Sequence, residues 1–288
     1  MADNPWLDRR VLNYAHQGGA REAPSSTVFA MRRALEAGAT ALEMDVHATA
    51  DGHLVVCHDS TVDRTTNGKG PIAALTLEQV TALDNAYWFV PGDIARPGLP
   101  DDAYPLRGRA ADDPELRIPT LRQVLEAFPD TLLNLDIKQT APAVEPYEEA
   151  VATLLAEFGR TDDVIVASFH DAATAAFTRV APGVGTSPGT AGVGAFFSAF
   201  RSGGQPPEAP SVVALQVPPK FGPTVIVSPE FVEFAHRHGV AVHVWTIDDP
   251  DDMEVLVDQG VDAVMTDRPS ALTPVLAARG AGYGPARS

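Results

Sequence analysis

The sequence is poor in cysteine, in basic residues and in long hydrophobic runs. A single cysteine, Cys57, among 288 residues excludes an intrachain disulfide and fits a reducing compartment. No apolar run approaches the roughly 20 residues of a transmembrane helix. The first six residues lack the basic and apolar regions of a signal peptide. From these absences we expect a cytoplasmic protein without stable membrane insertion.

Basic residues are outnumbered by acidic ones, with 21 against 38 and a formal net charge of −17. A field of that sign disfavours nucleic acid and anionic membrane surfaces as partners. It also repels a phosphate-bearing substrate, so a chain acting on phosphate would need local positive charge, which a bound cation supplies economically. Solubility is the simpler explanation of the acidity on composition alone.

Short β-rich runs alternate with helix-like runs along most of the chain. This alternation is typical of a parallel sheet with helical crossovers. Eight predicted strands favour a closed (β/α)8 TIM barrel, and an open doubly wound sheet is the alternative. The strands are predicted at 11–15, 41–46, 132–137, 164–168, 184–186, 212–217, 240–245 and 263–266. The helices between and after them are predicted at 27–37, 144–158, 172–180, 192–200, 229–238, 250–259 and 270–278.

A hairpin interrupts the alternation after the second predicted strand. Asp51-Gly52 stands between two apolar runs, which is a typical sequence for a β-hairpin turn. A hairpin centred on this pair folds His58 back along the preceding strand. We therefore expect His58 to lie beside Glu43 and Asp45.

The stretch from 59 to 119 is long and partly irregular, with a short helix predicted near 77–83 and a Pro/Gly/Asp-rich section after it. We interpret 59–119 as an insertion, a small subdomain or lid over one barrel mouth, within a single domain spanning 1–288. Residues 279–288 are predicted to form a disordered tail.

Two carboxylates, Glu43 and Asp45, are the first candidates for chemistry. Residues two apart on a strand face the same way, and two ionised carboxylates on a buried face repel each other. A hard cation such as Ca²⁺ or Mg²⁺ would relieve that repulsion, because both ions prefer carboxylate oxygens. The alternative is a solvated mouth where both side chains form ion pairs.

Histidines at predicted strand ends, His16 and His58, are candidates for proton transfer. Phosphodiester hydrolysis needs a base for the nucleophile and an acid for the leaving alkoxide, and imidazole does both near neutral pH. Asp136 and Lys138 share a strand face. Asp136 would complete a metal shell, and Lys138 would offer a point charge to phosphate. A simple Asp–Lys pair is the alternative.

Read in order, these fragments resemble the motifs of the glycerophosphodiester phosphodiesterase family. The run 15–19, followed by 23–27, is similar to the family's His-Arg-Gly and Pro-Glu-Asn-Thr opening. The run 43–52 is similar to its metal strand and turn, and His58-Asp59 with 64–68 to its second histidine motif. Further blocks resemble the family at 118–121, 136–138, 245–246 and 262–269. The resemblance therefore extends from His16 to Pro269.

The resemblance implies a (β/α)8 barrel that hydrolyses glycerophosphodiesters to an alcohol and glycerol 3-phosphate. It also implies a divalent metal, Ca²⁺ or Mg²⁺, held by Glu43, Asp45 and Asp136. The expected partner is a small-molecule phosphodiester or a lysophospholipid.

The same resemblance assigns roles to residues around the metal. His16 and His58 fall on the family's general acid–base pair, and Lys138 on a position that contacts phosphate. Trp245 falls on an aromatic position near the site, although a tryptophan packed in the barrel wall is the alternative.

Three departures from the family pattern affect the expected substrate. Gln17 stands where the family has arginine and lacks the charge for a bidentate phosphate contact. Ser25 and Ser26 replace the family's glutamate and asparagine. We hypothesise that the arginine and the glutamate form an ion pair in relatives, so that their joint loss leaves no buried charge unpaired. Asp136 replaces a glutamate and is one methylene shorter.

Alternative functions differ in substrate or in class. Apolar residues at 196–200 and around 217–221 would hold an acyl chain if they lay at the mouth, which would make a lysophospholipase D-like enzyme. For 196–200 the alternative is a helix face packed on the barrel. A sphingomyelinase D-like phospholipase would share the histidines and the acidic cluster. A non-catalytic metal- or phosphate-binding barrel is the alternative from another class.

Overall fold

A nearly closed parallel barrel forms the body of the protein. The computed structural model describes residues 4–283. The strands are β1 (Leu12–His16), β2 (Ala41–Ala48), β3 (Leu54–Val56), β4 (Leu132–Ile137), β5 (Val164–Ala167), β6 (Gly185–Thr186), β7 (Ala214–Val217), β8 (Lys220–Phe221), β9 (Thr224–Val225), β10 (Ala241–Val244) and β11 (Ala263–Thr266). Eight parallel strands follow one another around the barrel in the order β6-β5-β4-β2-β1-β11-β10-β7, and a bridge between Thr186 and Val212 joins the two ends. The (β/α)8 prediction is confirmed.

Helices pack around the barrel in the βα alternation that the sequence predicts. The predicted helix at 144–158 starts four residues late, since the residue before Pro146 is disfavoured from helical geometry. The sequence analysis missed the helix that follows Thr120, although Thr120 and Gln123 form a capping box. The helices are α1 (Pro5–Asp8), α2 (Val28–Glu36), α3 (Leu77–Thr81), α4 (Leu121–Ala127), α5 (Glu148–Glu157), α6 (Asp171–Val180), α7 (Thr190–Ser202), α8 (Pro229–Arg237), α9 (Pro250–Asp258) and α10 (Pro269–Ala278).

The amino-terminal end of the barrel is closed by an apolar plug. Trp6 of α1 is 2% exposed and packs with Leu12, Leu132 and neighbouring small residues of the strands. Asn4 anchors this helix, since its amide donates to the carbonyl oxygens of Val213 and Gly239. Polar inward-facing side chains therefore gather at the carboxyl ends of the strands, where barrel active sites lie.

Residues 59–119 fold into short elements over the hairpin of β2 and β3. They include α3 and four 3₁₀ helices, at Ile72–Ala74, Asp101–Ala103, Arg109–Ala111 and Pro114–Leu116. A small core that includes Val62, Ile72 and Val80 holds the first half. The second half is tied to the barrel by the Asn85 amide, which donates to the Ser25 carbonyl oxygen over 2.9 Å.

The predicted disordered tail is partly ordered. Arg279 pairs with Glu254 and Asp258, and the Tyr283 amide donates to the carbonyl oxygen of Val11. These contacts tie 279–283 to the barrel, which corrects the prediction for that part, and 284–288 lie outside the described residues. Among the helices from residue 4 to residue 283, none combines the length and the apolar character of a membrane span.

Candidate active site

Three acidic side chains predicted as a cluster come from neighbouring strands at the carboxyl end of the barrel. Glu43 and Asp45 lie on one face of β2 and are 4% and 0% exposed. The parallel register sets Asp45 directly beside Asp136 of β4, and His16 of β1 beside Glu43. Strand pairing thus brings together four of the predicted site residues.

Burial makes this carboxylate cluster electrostatically costly. Loss of hydration and, after it, the charge of Glu43 raise the pKa of Asp45 to about 7, against the attraction of Lys138. Burial likewise raises the pKa of Glu43. The Lys138 ammonium lies 2.9 Å from Asp45 Oδ1 and 3.2 Å from Asp136 Oδ2. The cluster therefore takes its positive charge from the chain's own lysine.

The donor set fits a hard divalent cation. Asp45 Oδ2 and Asp136 Oδ1 are buried and accept no hydrogen bond from any residue between 4 and 283. Carboxylate oxygens without donors are the ligands that Ca²⁺ and Mg²⁺ prefer. Within the described residues, no three His, Cys, Asp or Glu side chains already stand close enough together to hold an ion. The Lys138 ammonium lies between Asp45 and Asp136 and takes up part of the space that such an ion would need.

Both predicted acid–base histidines are oriented by aspartates. His16 Nδ1 lies 2.7 Å from Asp267 Oδ1, and His58 Nδ1 lies 2.7 Å from Asp59 Oδ1. Arg64 holds Asp59 in turn through two hydrogen bonds, of 2.7 and 2.9 Å. Each aspartate fixes one ring nitrogen and leaves Nε2 for chemistry, the arrangement that catalytic histidines need.

The two imidazole rings face each other over the carboxylates. Their centroids are 6.1 Å apart, and the hairpin expected from Asp51-Gly52 is the one that carries His58 there. Burial disfavours the imidazolium of His16. The charge of Glu43 and the hydrogen bond to Asp267 outweigh that penalty, raising the pKa of His16 to about 9.

Gln17 supports the carboxylates through its backbone. Its amide donates to Glu43 Oε2 over 3.0 Å, which requires the unusual φ of 53°. Its side-chain amide nitrogen lies 3.3 Å from His16 Nε2, and its buried Oε1 accepts no hydrogen bond from the described residues. Gln17 is therefore in the site but brings no charge to it.

An aromatic pair crosses the barrel mouth. The rings of Trp245, after β10, and Phe169, after β5, are 5.6 Å apart in an edge-to-face contact. The Lys138 ammonium lies 5.7 Å from the centre of the Phe169 ring. Trp245 thus lies next to the site, and Phe169, which is 53% exposed, is a neighbour that the sequence analysis missed.

The two apolar segments considered for an acyl chain lie in different places. Phe196 of α7 is buried against Phe231 and Phe234 of α8, so the helix-face alternative is confirmed. The second segment ends in the antiparallel hairpin of β8 and β9, where Phe221 is 73% and Val225 is 53% exposed.

Asp59 and Asp267 are the aspartates whose contacts with the two histidines the sequence analysis did not predict. Both lie inside stretches that resemble family motifs, so the sequence marks the segments. The pairing of His16 with Asp267 joins positions 251 residues apart, and only the closed barrel brings them together.

Known proteins similar to this chain include glycerophosphodiester phosphodiesterases. The chain matches the Glycerophosphoryl diester phosphodiesterase family model over residues 16–271. A glycerophosphodiester phosphodiesterase of Caldanaerobacter subterraneus is 33% identical over 91% of this chain and 96% of its own length. One from Bacillus subtilis is 27% identical over 90% of this chain and 84% of its own.

Two solved structures share the fold. The glycerophosphoryl diester phosphodiesterase domain of a Mycobacterium tuberculosis protein superposes with a TM-score of 0.74 at 24% identity, covering 93% of this chain and 99% of the domain. An Oleispira antarctica phosphodiesterase, solved with the product sn-glycerol-3-phosphate, has a TM-score of 0.71 at 21% identity and covers 94% and 99%. With the family model matched over most of its length, the chain belongs to the glycerophosphoryl diester phosphodiesterase family and is a phosphoric diester hydrolase.

Proposed function

We propose that the protein hydrolyses glycerophosphodiesters to an alcohol and glycerol 3-phosphate, with His16 and His58 as the acid–base pair. The observation that carries the proposal is the facing pair of aspartate-oriented imidazoles, 6.1 Å apart, above a buried carboxylate cluster. The names of the relatives and the product bound to the Oleispira antarctica enzyme support the choice of substrate.

Proton transfer is the work of the two imidazoles. One Nε2 accepts the proton of the nucleophile, and the other imidazole donates a proton to the leaving oxygen. Asp267 and Asp59 hold the Nδ1 protons and stabilise each ring when it becomes positive. The restricted exposure of His16, whose side chain is 17% exposed, keeps bulk water from competing for its proton.

The second requirement is to stabilise the negative charge of the phosphate. Glu43, Asp45 and Asp136 would hold a Ca²⁺ or Mg²⁺ ion, which when bound supplies Lewis-acid stabilisation of a phosphate oxygen. Lys138 adds a positive charge at the same place, close to Asp45 and Asp136. Gln17 holds Glu43 by its backbone amide, and Trp245 and Phe169 offer an apolar wall to the substrate.

The test is hydrolysis of glycerophosphodiesters by the purified protein with EDTA, Ca²⁺ or Mg²⁺. We expect cation-dependent release of glycerol 3-phosphate, and a loss of at least about 1,000-fold in kcat for His16→Ala. His53→Ala, which removes an exposed imidazole in the hairpin turn, is the matched control. Full activity of His16→Ala, or release of a phosphomonoester other than glycerol 3-phosphate, would contradict the proposal.

A lysophospholipid is a second candidate substrate, favoured by the exposed hairpin. Phe221 and Val225 present apolar side chains after β7, at the carboxyl end of the barrel. Replacing both by serine should lower kcat/KM for a lysophospholipid and leave glycerophosphodiesters unaffected. Equal effects on both substrates would exclude an acyl-chain role for the hairpin.

A further inference from the structure

A cavity opens beside His58 on the β2, β4 and β5 side of the barrel mouth. Its volume is about 530 Å³, which is within the range of small-molecule sites. His58 and Lys138 line its inner end, so the cavity is continuous with the position proposed for the phosphate. Its outer end opens between residues of the 141–143 segment, which are exposed.

The wall of this cavity is held in place by hydrogen bonds. The Tyr147 hydroxyl accepts from the Gln139 amide over 3.1 Å and donates to the Val46 carbonyl oxygen over 2.8 Å. The Gln139 side-chain oxygen lies 3.2 Å from Nδ1 of His47, a side chain that is almost fully buried. The cavity is therefore preformed rather than a gap between loose loops.

More of its lining surface is apolar than polar, and most of the polar groups are uncharged. Ser60, Gln139, Thr140 and His170 offer hydroxyl, amide and imidazole groups, each able to donate or accept. The lining within the described residues contains no carboxylate and no Phe, Tyr or Trp ring, and Lys138 contributes a positive charge. A quaternary ammonium would find neither an anion nor an aromatic face there.

We infer that this cavity binds the alcohol moiety of the substrate and selects a polyhydroxylated alcohol, such as an inositol ring or a second glycerol, over choline. The inference rests on the proposed glycerophosphodiester hydrolysis. The glycerol moiety has a fixed size, whereas the alcohol varies, and a cavity with an open outer end suits the group that varies. Hydroxyl groups of the substrate would replace the water that solvates Ser60, Gln139 and His170.

The experiment compares three diesters of glycerol 3-phosphate, those with inositol, with choline and with methanol. We expect the wild-type kcat/KM for the inositol diester to exceed that for the choline diester by about tenfold or more. His170→Ala and Gln139→Ala should each lower the ratio of kcat/KM between the inositol and methyl diesters by about fivefold, the loss expected for a hydrogen bond between uncharged groups. His53→Ala, outside the cavity, should leave that ratio unchanged.

Three results would overturn the inference. Faster turnover of the choline diester would show that the cavity does not select hydroxyl groups. An equal loss for all three diesters in His170→Ala and Gln139→Ala would place the common glycerol moiety in the cavity instead. Turnover of none of them, with any cation, would remove the proposed function itself, which separates that failure from the other two.

Discussion

His16 Nδ1 lies 2.7 Å from Oδ1 of Asp267, a contact between the last residue of β1 and the residue that follows β11. The Asp267 backbone amide donates a hydrogen bond to Asp248 Oδ1, so the backbone that carries the Asp267 carboxylate is itself held in place. A histidine held in this way keeps one tautomer and one ring orientation, and both are needed for directed proton transfer.

Asp267→Asn should therefore damage catalysis without unfolding the protein. The backbone contact to Asp248 survives, but the imidazolium of His16 loses a negative partner. We expect kcat to fall by about 100-fold or more. The pKa of His16 should fall from about 9, which moves the corresponding limb of the pH–rate profile toward acid. Asp130→Asn, at an exposed aspartate, is the control, and a loss of kcat below threefold would count against the role.

Cation binding should stabilise the folded protein, because an ion would relieve the repulsion among the buried carboxylates of Glu43, Asp45 and Asp136. An ion at 100 times its dissociation constant adds about 2.7 kcal/mol to the free energy of unfolding. The measurement is thermal unfolding in EDTA and in Ca²⁺ or Mg²⁺, with Asp45→Asn expected to lose the stabilisation. If the cation shifted the Tm of the wild type and of Asp45→Asn equally, the cation would bind at a site that does not include Asp45.

Gln17→Arg tests whether the departures at positions 17 and 25 are coupled. Gln17 and Ser25 are each 5% exposed, so an arginine there would be a buried charge without its family partner. We expect Gln17→Arg to lower the free energy of unfolding by about 2–4 kcal/mol and the double variant with Ser25→Glu to recover most of it. Phosphate inhibition, measured on the same proteins, should strengthen in the double variant. If the effects of the two substitutions on the free energy of unfolding were additive, positions 17 and 25 would not be coupled.

His243 should make stability depend on pH. It is fully buried beside Trp6 and Tyr14, and neither ring nitrogen has a hydrogen-bond partner among the described residues. Burial lowers its pKa from 6.5 to about 4, so the unfolded chain takes up this proton first as the pH falls. The stabilisation is complete above pH 6.5 and is lost between that value and pH 4.

The predicted size of this effect is measurable by urea unfolding. Between pH 7 and pH 5 the His243 ring should lower the free energy of unfolding by about 2 kcal/mol. His243→Leu should remove that part of the pH dependence, whereas His53→Leu, at an exposed histidine, should keep it. Parallel pH curves for the wild type and His243→Leu would refute the prediction.

Local sequence patterns predicted which side chains of β2 share a face and which hairpin returns His58 to them. Glu43 and Asp45 share a face because side chains alternate along a strand, and Asp51-Gly52 is sufficient to predict the hairpin that returns His58. The start of α5 was placed too early because the sequence analysis overlooked Pro146, which disfavours helical geometry at the residue before it. The β8–β9 hairpin was missed because its strands, two residues each, carry too little periodicity to be seen.

The sequence by itself determined the barrel, the family and the members of the acidic cluster, because these depend on periodicity and on residue order along the chain. Tertiary structure alone decided which side chains meet. The position of the Lys138 ammonium between Asp45 and Asp136 depends on the rotamer of the lysine side chain. His16 meets Asp267, and Phe169 meets Trp245, across long stretches of sequence. Such contacts follow from barrel closure and strand register, which no local pattern encodes.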